Sequence, residues 1–225
     1  MKENLFVNNY FSTPVYAGEI LEWVDTLNKA SDSFIEESKK RNKSFLKDRN
    51  KKLKKNLDDF AIVNHSTSLI DASDFFEFKK YIEERSLEIL DHMGYDLKKH
   101  ILYWSEFWVQ EFGKKGGGSH EGHIHHNSHI SGFYFLKCSD RTSFPILHDP
   151  RPGKLMTQLP LKNEKDINEG TSTINFKPKP GSLIMFPSYL EHQFSVDFGI
   201  DTFRFIHFNI QAVEKQILNI NKNEL

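Results

Sequence analysis

Five of the eleven histidines fall in ten residues, His120 to His129, inside the stretch SHEGHIHHNSHISGFYFL that runs from Ser119 to Leu136. Neutral imidazole is a good ligand for borderline metals such as iron, zinc, copper and nickel, so a cluster of this kind is suited to a metal site. His123 and His125 are two positions apart. On an extended backbone both side chains leave the same face and can grip one ion. The plainer alternative is a histidine-rich loop that only meets solvent.

The elements that would carry these residues are readable around them. Lys114 to Gly118, KKGGG, is a flexible approach whose glycines suit close packing or movement at a site mouth. Ile130 to Cys138 alternates as a strand does. Upstream, Ile101 to Phe112, ILYWSEFWVQEF, is rich in aromatic and β-branched residues and predicts another strand. Trp108 and Gln110 share one face of it and can line a pocket. Downstream, strands are predicted at Ser143–His148, Ile174–Phe176, Ser182–Phe186 and Thr202–Ile210, with DPRPG after the first and Pro178–Gly181 before the third as turn chemistry. Leu155 to Gly170 is an excursion of mixed polarity, placed to fold over a site as a lid.

The N-terminal half reads differently. Leu5–Tyr16 is an extended segment suited to a sheet edge, and an amphipathic helix is expected within Gly18–Lys40. Lys39 to Lys55 then holds ten basic residues against one acidic residue, Asp48. Such a run can dock an acidic partner, but with aromatic interleaving confined to Phe45 it reads as a solvated loop. A helix from about Asp71–Ser73, whose side chains offer N-caps, to a stop at Gly94 carries Phe75, Phe78, Ile82, Ile89 and Met93 on one face. The expected organisation is one domain: strand and supporting helices over 1–98, a β core over 99–212 and a polar tail over 213–225.

Composition sets bounds on function. Thirty Lys+Arg against 31 Asp+Glu give a formal net charge of −1, which favours neither nucleic acid nor an anionic membrane as main partner. A single cysteine, Cys138, excludes an internal disulfide and fits a reducing cytoplasm. No run of eighteen apolar residues and no apolar leader is present, and 20 phenylalanines suggest an aromatic core.

Five blocks in order, FSTPVY, HIHHNSHISGFYFL, HDPRPG, GSLIMFPSYLEH and FRFIHFN, resemble the 2-oxoglutarate/iron(II) oxygenases of bacteria and phages, with their H-x-H-P-(N/G)-S-x-x-SGVYY and FPSWxxH signatures. The blocks are scattered over most of residues 5 to 210. The resemblance implies a mainly β fold with N-terminal α elements, a double-stranded β-helix of the cupin-like jelly-roll kind shared with prolyl hydroxylases. It implies Fe(II) and 2-oxoglutarate, a metal held by His123, His125 and His192, and hydroxylation of a small molecule or peptide with molecular oxygen. His125 stands where the broader superfamily has a carboxylate, which leaves the ion one charge more positive; Asp149 is the reserve carboxylate, as ligand or as support.

Arg204, twelve residues after His192, is assigned by the resemblance to the distal carboxylate of 2-oxoglutarate, and a guanidinium inside an apolar barrel needs such a partner. Tyr134 can add its hydroxyl to that carboxylate, and Arg151 can hold an anionic substrate group. His207, three residues beyond Arg204, is expected to face outward. Two other readings stay open: a three-histidine cupin-type dioxygenase that needs no 2-oxo acid, and a non-catalytic jelly-roll module with a structural metal. The substrate and the oligomeric state are unreadable.

Overall fold

The computed structural model describes residues 6–157 and 159–216. Two antiparallel sheets face each other, with two long helices on the outer face of the larger. The strands are β1 (Tyr16–Glu19), β2 (Val63–His65), β3 (His100–Phe112), β4 (His120–His123), β5 (Ile130–Lys137), β6 (Pro145–His148), β7 (Thr173–Asn175), β8 (Ser182–Pro187), β9 (His192–Phe194) and β10 (Arg204–Glu214). Their order is β1-β8-β5-β10-β3-β2 in the major sheet and β4-β9-β6-β7 in the minor one. The helices are α1 (Val24–Leu53) and α2 (Phe76–His92). This is the expected double-stranded β-helix with supporting helices.

The period of two sorts the side chains of the major sheet into two cores. Phe107, Val109, Tyr134, Leu136, Ile206 and Phe208 face the helices and meet Leu27, Ile35, Phe75, Phe78 and Ile82. Phe112, Phe133, Phe135, Phe186, Phe194, Phe203 and Phe205 fill the space between the sheets. Within the barrel, Phe194 and Phe205 stack at 4.6 Å, and Phe133 meets Phe194 edge-on at 5.0 Å. The inner core is therefore mostly rings, as the phenylalanine content suggests.

Several expectations need correction. Residues 6–15 form no strand, and pairing begins only at Tyr16, opposite Met185. The basic run is not a loop: α1 continues through it to Leu53 and closes on Lys54, which is left-handed at φ 51°. Lysine and arginine are good helix formers, and the run is tied down where Arg41 donates to His65 O (2.8 Å) and Arg49 donates to the carbonyls of Phe60 (2.6 Å) and Asp58 (2.8 Å). α2 ends before Gly94 as expected, but no side chain caps its start; the one-turn 3-10 segment Ser73–Phe75 leads into it instead. β10 continues to Glu214, into the segment read as tail. The remainder of that tail, residues 217–225, lies outside the described ones. No helix among the described residues is long and apolar enough to cross a membrane.

Three glycines are dictated by space. Gly116 and Gly117 sit at φ 76° and 78° in contact with the 197–199 backbone and with Phe60, which is the close approach expected of the KKGGG segment. Gly132, in the middle of β5, lies under the Phe208 ring, and a Cβ there would stand 2.7 Å from Ile184 O. Gly132→Ala is expected to cost about 2 to 3 kcal/mol by overpacking, measured as a lowered midpoint in urea unfolding, whereas Gly153→Ala, which meets nothing within 4 Å, should leave it unchanged.

Candidate functional site

β4 and β9 pair so that His123 lies directly opposite His192. His125 follows two residues past the end of β4, where its backbone N–H donates to Ser188 O at 3.0 Å. The three rings converge, with centroid separations of 4.5 Å for His123–His192, 5.0 Å for His123–His125 and 5.2 Å for His125–His192. Each offers a ligand atom within 4.8 Å of the others.

Local hydrogen bonds set the chemistry of these rings. His123 Nδ1 lies 2.7 Å from Glu121 O and His192 Nδ1 lies 3.0 Å from Leu190 O. A carbonyl can only accept, so both Nδ1 atoms carry the proton and both Nε2 atoms are bare lone pairs. His192 is wholly buried, and the Nε2 atoms of His192 and His125 are buried with no hydrogen-bond partner. Burial lowers the pKa of His192 to about 3, against the Leu190 carbonyl, which favours the charged ring. It lowers His125 to about 3 as well, helped by His207 and opposed by Glu106. Neutral imidazoles with buried, unpartnered lone pairs are the donor set a divalent transition metal requires. The residues present therefore fit a metal ion.

A cavity of about 250 Å³ opens beside the triad, lined by His65, Glu106, Trp108, His120, His123, His125, Phe133, Phe194 and His207. Trp108 forms one wall, its ring 4.2 Å from His65 and 4.4 Å from His207. Gln110 is buried on the same face of β3 and its Oε1 lies 2.7 Å from His120 Nε2; since the amide oxygen accepts, that nitrogen carries the proton. Burial, and then His123, lowers the His120 pKa to about 4, so this ring too is neutral near pH 7.

Other residues predicted for the site lie elsewhere. Arg204 faces the helices: its Nε donates to Glu111 at 2.8 Å, its Nη2 pairs with the same carboxylate at 2.6 Å, and its Nη1 reaches Asp32 of α1 at 2.7 Å. Lys39 of α1 adds a contact to Glu111 at 2.9 Å. The guanidinium has its carboxylate, but within the protein. Tyr134 likewise points outward, donating to Ile20 O at 2.6 Å and packing on Phe78. Asp149 is saturated by Arg151 and Lys154, at 2.7 and 2.8 Å, which hold its carboxyl below the usual carboxylate range, so it is no ligand in reserve. With Arg151 it lines a separate cavity, between residues 9–13 and 167–174. Described residues of the Leu155–Gly170 excursion contribute to that cavity and to a neighbouring one, and none of those described lines the triad cavity.

His207 corrects the outward expectation. It alternates with Arg204 as predicted, but Arg204 is the residue that faces out, and His207 is buried at the cavity floor with its pKa driven well down by that burial. Glu106 was missed altogether. Among the described residues no lysine or arginine lines the triad cavity.

A double-stranded β-helix with three imidazoles turned into its mouth defines the class, a cupin-like barrel equipped for one metal. Residues 106–204, from within β3 to the start of β10, match the family described as "Putative 2OG-Fe(II) oxygenase", the one the sequence motifs resemble. Among solved structures, the chain is similar to a Pseudomonas putida prolyl-4-hydroxylase (TM-score 0.51, 10% identity, covering 88% of this chain and 93% of that one). It is also similar to AviO1 from Streptomyces viridochromogenes Tue57 (TM-score 0.51, 12% identity, 88% and 90% covered). At these identities the likeness is one of fold. No curated protein matches the sequence.

The position of Arg204 makes a direct prediction. Arg204→Met should lower stability by about 3 kcal/mol in urea unfolding, because it leaves Glu111 buried with only Lys39 beside it. The same variant should bind metal as the wild type does, measured by chelator competition.

Proposed function

We propose that this protein is an iron-dependent oxygenase that inserts oxygen into a C–H bond of a small molecule or peptide, with His123, His125 and His192 as the metal ligands. The observation that carries the proposal is the pair of buried, partnerless Nε2 atoms on His125 and His192, beside a His123 whose tautomer bares the same nitrogen. Fe(II), when bound, would supply the oxygen chemistry that no side chain can perform. The protein's own part is positional. Phe133 and Phe194 keep the inner side of the cavity apolar, Trp108 offers a flat wall for a substrate, and the Gln110–His120 pair presents a fixed polar edge.

The match of residues 106–204 supports 2-oxoglutarate as co-substrate, and the fold shared with a prolyl-4-hydroxylase makes a peptide the substrate class to try first. A second reading is favoured by a specific observation. With Arg204 committed to Glu111 and Asp32 and no other Lys or Arg at the cavity among the described residues, a three-histidine dioxygenase without a 2-oxo acid accounts better for the pocket lining.

Anaerobic titration of the Fe(II)-loaded protein with 2-oxoglutarate, followed by oxygen uptake and succinate measurement, separates the two. Saturable binding that requires the metal, with succinate formed as oxygen is consumed, supports the first reading. Oxygen uptake that ignores 2-oxoglutarate supports the second. In both, His192→Ala is expected to abolish metal binding and oxygen uptake; retention of both in that variant would end the oxygenase proposal.

A further inference from the structure

The three-histidine set lacks the anion that a carboxylate ligand would contribute, and the structure holds one a single imidazole further out. Glu106 sits on the barrel face of β3. Its Oε2 accepts from Asn209 Nδ2 at 2.7 Å and contacts His207 Nε2 at 3.2 Å and His125 Nδ1 at 3.7 Å. Because a carboxylate only accepts, His207 must carry its proton on Nε2.

Of the three triad rings, His123 and His192 have their Nδ1 atoms held by backbone carbonyls. His125 alone has its Nδ1 turned to a carboxylate. Resting on the reading of His123, His125 and His192 as ligands, we infer that Glu106 is a positioning residue: at 3.7 Å from His125 Nδ1 its charge, acting through space rather than through a hydrogen bond, favours the proton on that nitrogen, leaves Nε2 bare for the metal, and supplies beside that ring the negative charge missing from the ligand set. Carboxylates in this position orient and strengthen imidazole ligands.

Two further features support the assignment. The register of β3 against β10 shifts between Asn209, opposite Glu106, and Ile210, opposite Trp104, so Ser105 is an extra residue. Trp104 therefore joins the helix-side core while Glu106, two residues on, points into the barrel. The bulge thus turns Trp104 away from the cavity and leaves Glu106 in phase with Trp108 on the cavity side. In addition, a polar chain stands behind the carboxylate: Asn209 Oδ1 accepts from Ser131 at 2.6 Å, and Ser131 shares a hydrogen bond with Ser188 at 2.8 Å, the residue whose carbonyl holds the His125 backbone. One network thus reaches His125 from both its main chain and its ring.

Glu106, His125 and His207 also bring ligand atoms within 4.8 Å of one another. Their facing atoms, however, are already committed: the Glu106 oxygen accepts from Asn209 and from the proton on His207 Nε2. The unpartnered nitrogens of His125 and His192 lie on the triad side, which places the ion there and the carboxylate behind His125.

The test is Co(II) affinity by chelator competition, with the Co(II) absorption spectrum, on the full chain and on Glu106→Gln, His207→Gln and His192→Ala. Thermal unfolding of each metal-free variant confirms the fold. Glu106→Gln keeps the size of the side chain and an acceptor for Asn209, so the metal-free protein should unfold as the wild type does. It is expected to lose roughly 10- to 100-fold in Co(II) affinity and to shift the spectrum, whereas His192→Ala abolishes binding. Wild-type affinity and spectrum in Glu106→Gln, with His192→Ala still null, would overturn the role of Glu106 and leave the ligand reading intact. Loss in both Glu106→Gln and His207→Gln with binding retained in His192→Ala would place the ion among Glu106, His125 and His207 and overturn both.

Discussion

Lone pairs on buried imidazole nitrogens are the constraint around which the barrel mouth is arranged. An acceptor removed from water without a partner costs free energy, typically about 1 to 3 kcal/mol, and here His125 and His192 each bury one. The fold prevents the rings from escaping that cost. His192 is held by the Leu190 carbonyl and His123 by the Glu121 carbonyl, while strand pairing sets the two opposite each other. A bound metal ion would resolve the deficit, and the apolar rings of Phe133, Phe186 and Phe194 make a solvated alternative poor.

The same period of two that brings the histidines together sends the cations away. On β10, Phe205 and His207 turn inward, as Phe203 does just before the strand, while Arg204, Ile206 and Phe208 turn to the helices. The guanidinium therefore sits between the sheet and α1, where Glu111 and Asp32 meet it. Electrostatically the cavity is a collection of neutral imidazoles with one carboxylate at its edge. That is a different field from one built to receive a dianion, and it bears on which small molecule shares the metal.

Much of this was legible in the chain. The strand pattern from Ile101 onward, the stop at Gly94 and the paired spacing of His123 and His125 follow from local periodicity and turn chemistry, and local rules carry them correctly. What failed was absolute facing. Alternation between Arg204 and His207 was readable, but which of them turns inward depends on the neighbours of β10, and spacing along one strand cannot supply that. Glu106, by contrast, shares the alternation of Trp108 and Gln110 and was readable as a pocket-facing position two residues before Trp108; the extra residue at Ser105 resets the phase of β3 only upstream of it. The basic run misled because a charge-rich segment without apolar periodicity looks like a loop, whereas here a few tertiary hydrogen bonds from Arg41 and Arg49 hold it as a helix.

The Arg204 cluster has a consequence for how the protein can be divided. The region matching the oxygenase family ends on this residue, and two of the groups that neutralise the Arg204–Glu111 pair, Asp32 and Lys39, come from α1, far upstream in sequence. An isolated barrel would expose the apolar rows under the helices and strip its own charges of half their partners. The barrel is thus not a self-sufficient unit: the long N-terminal helix is one of its structural walls.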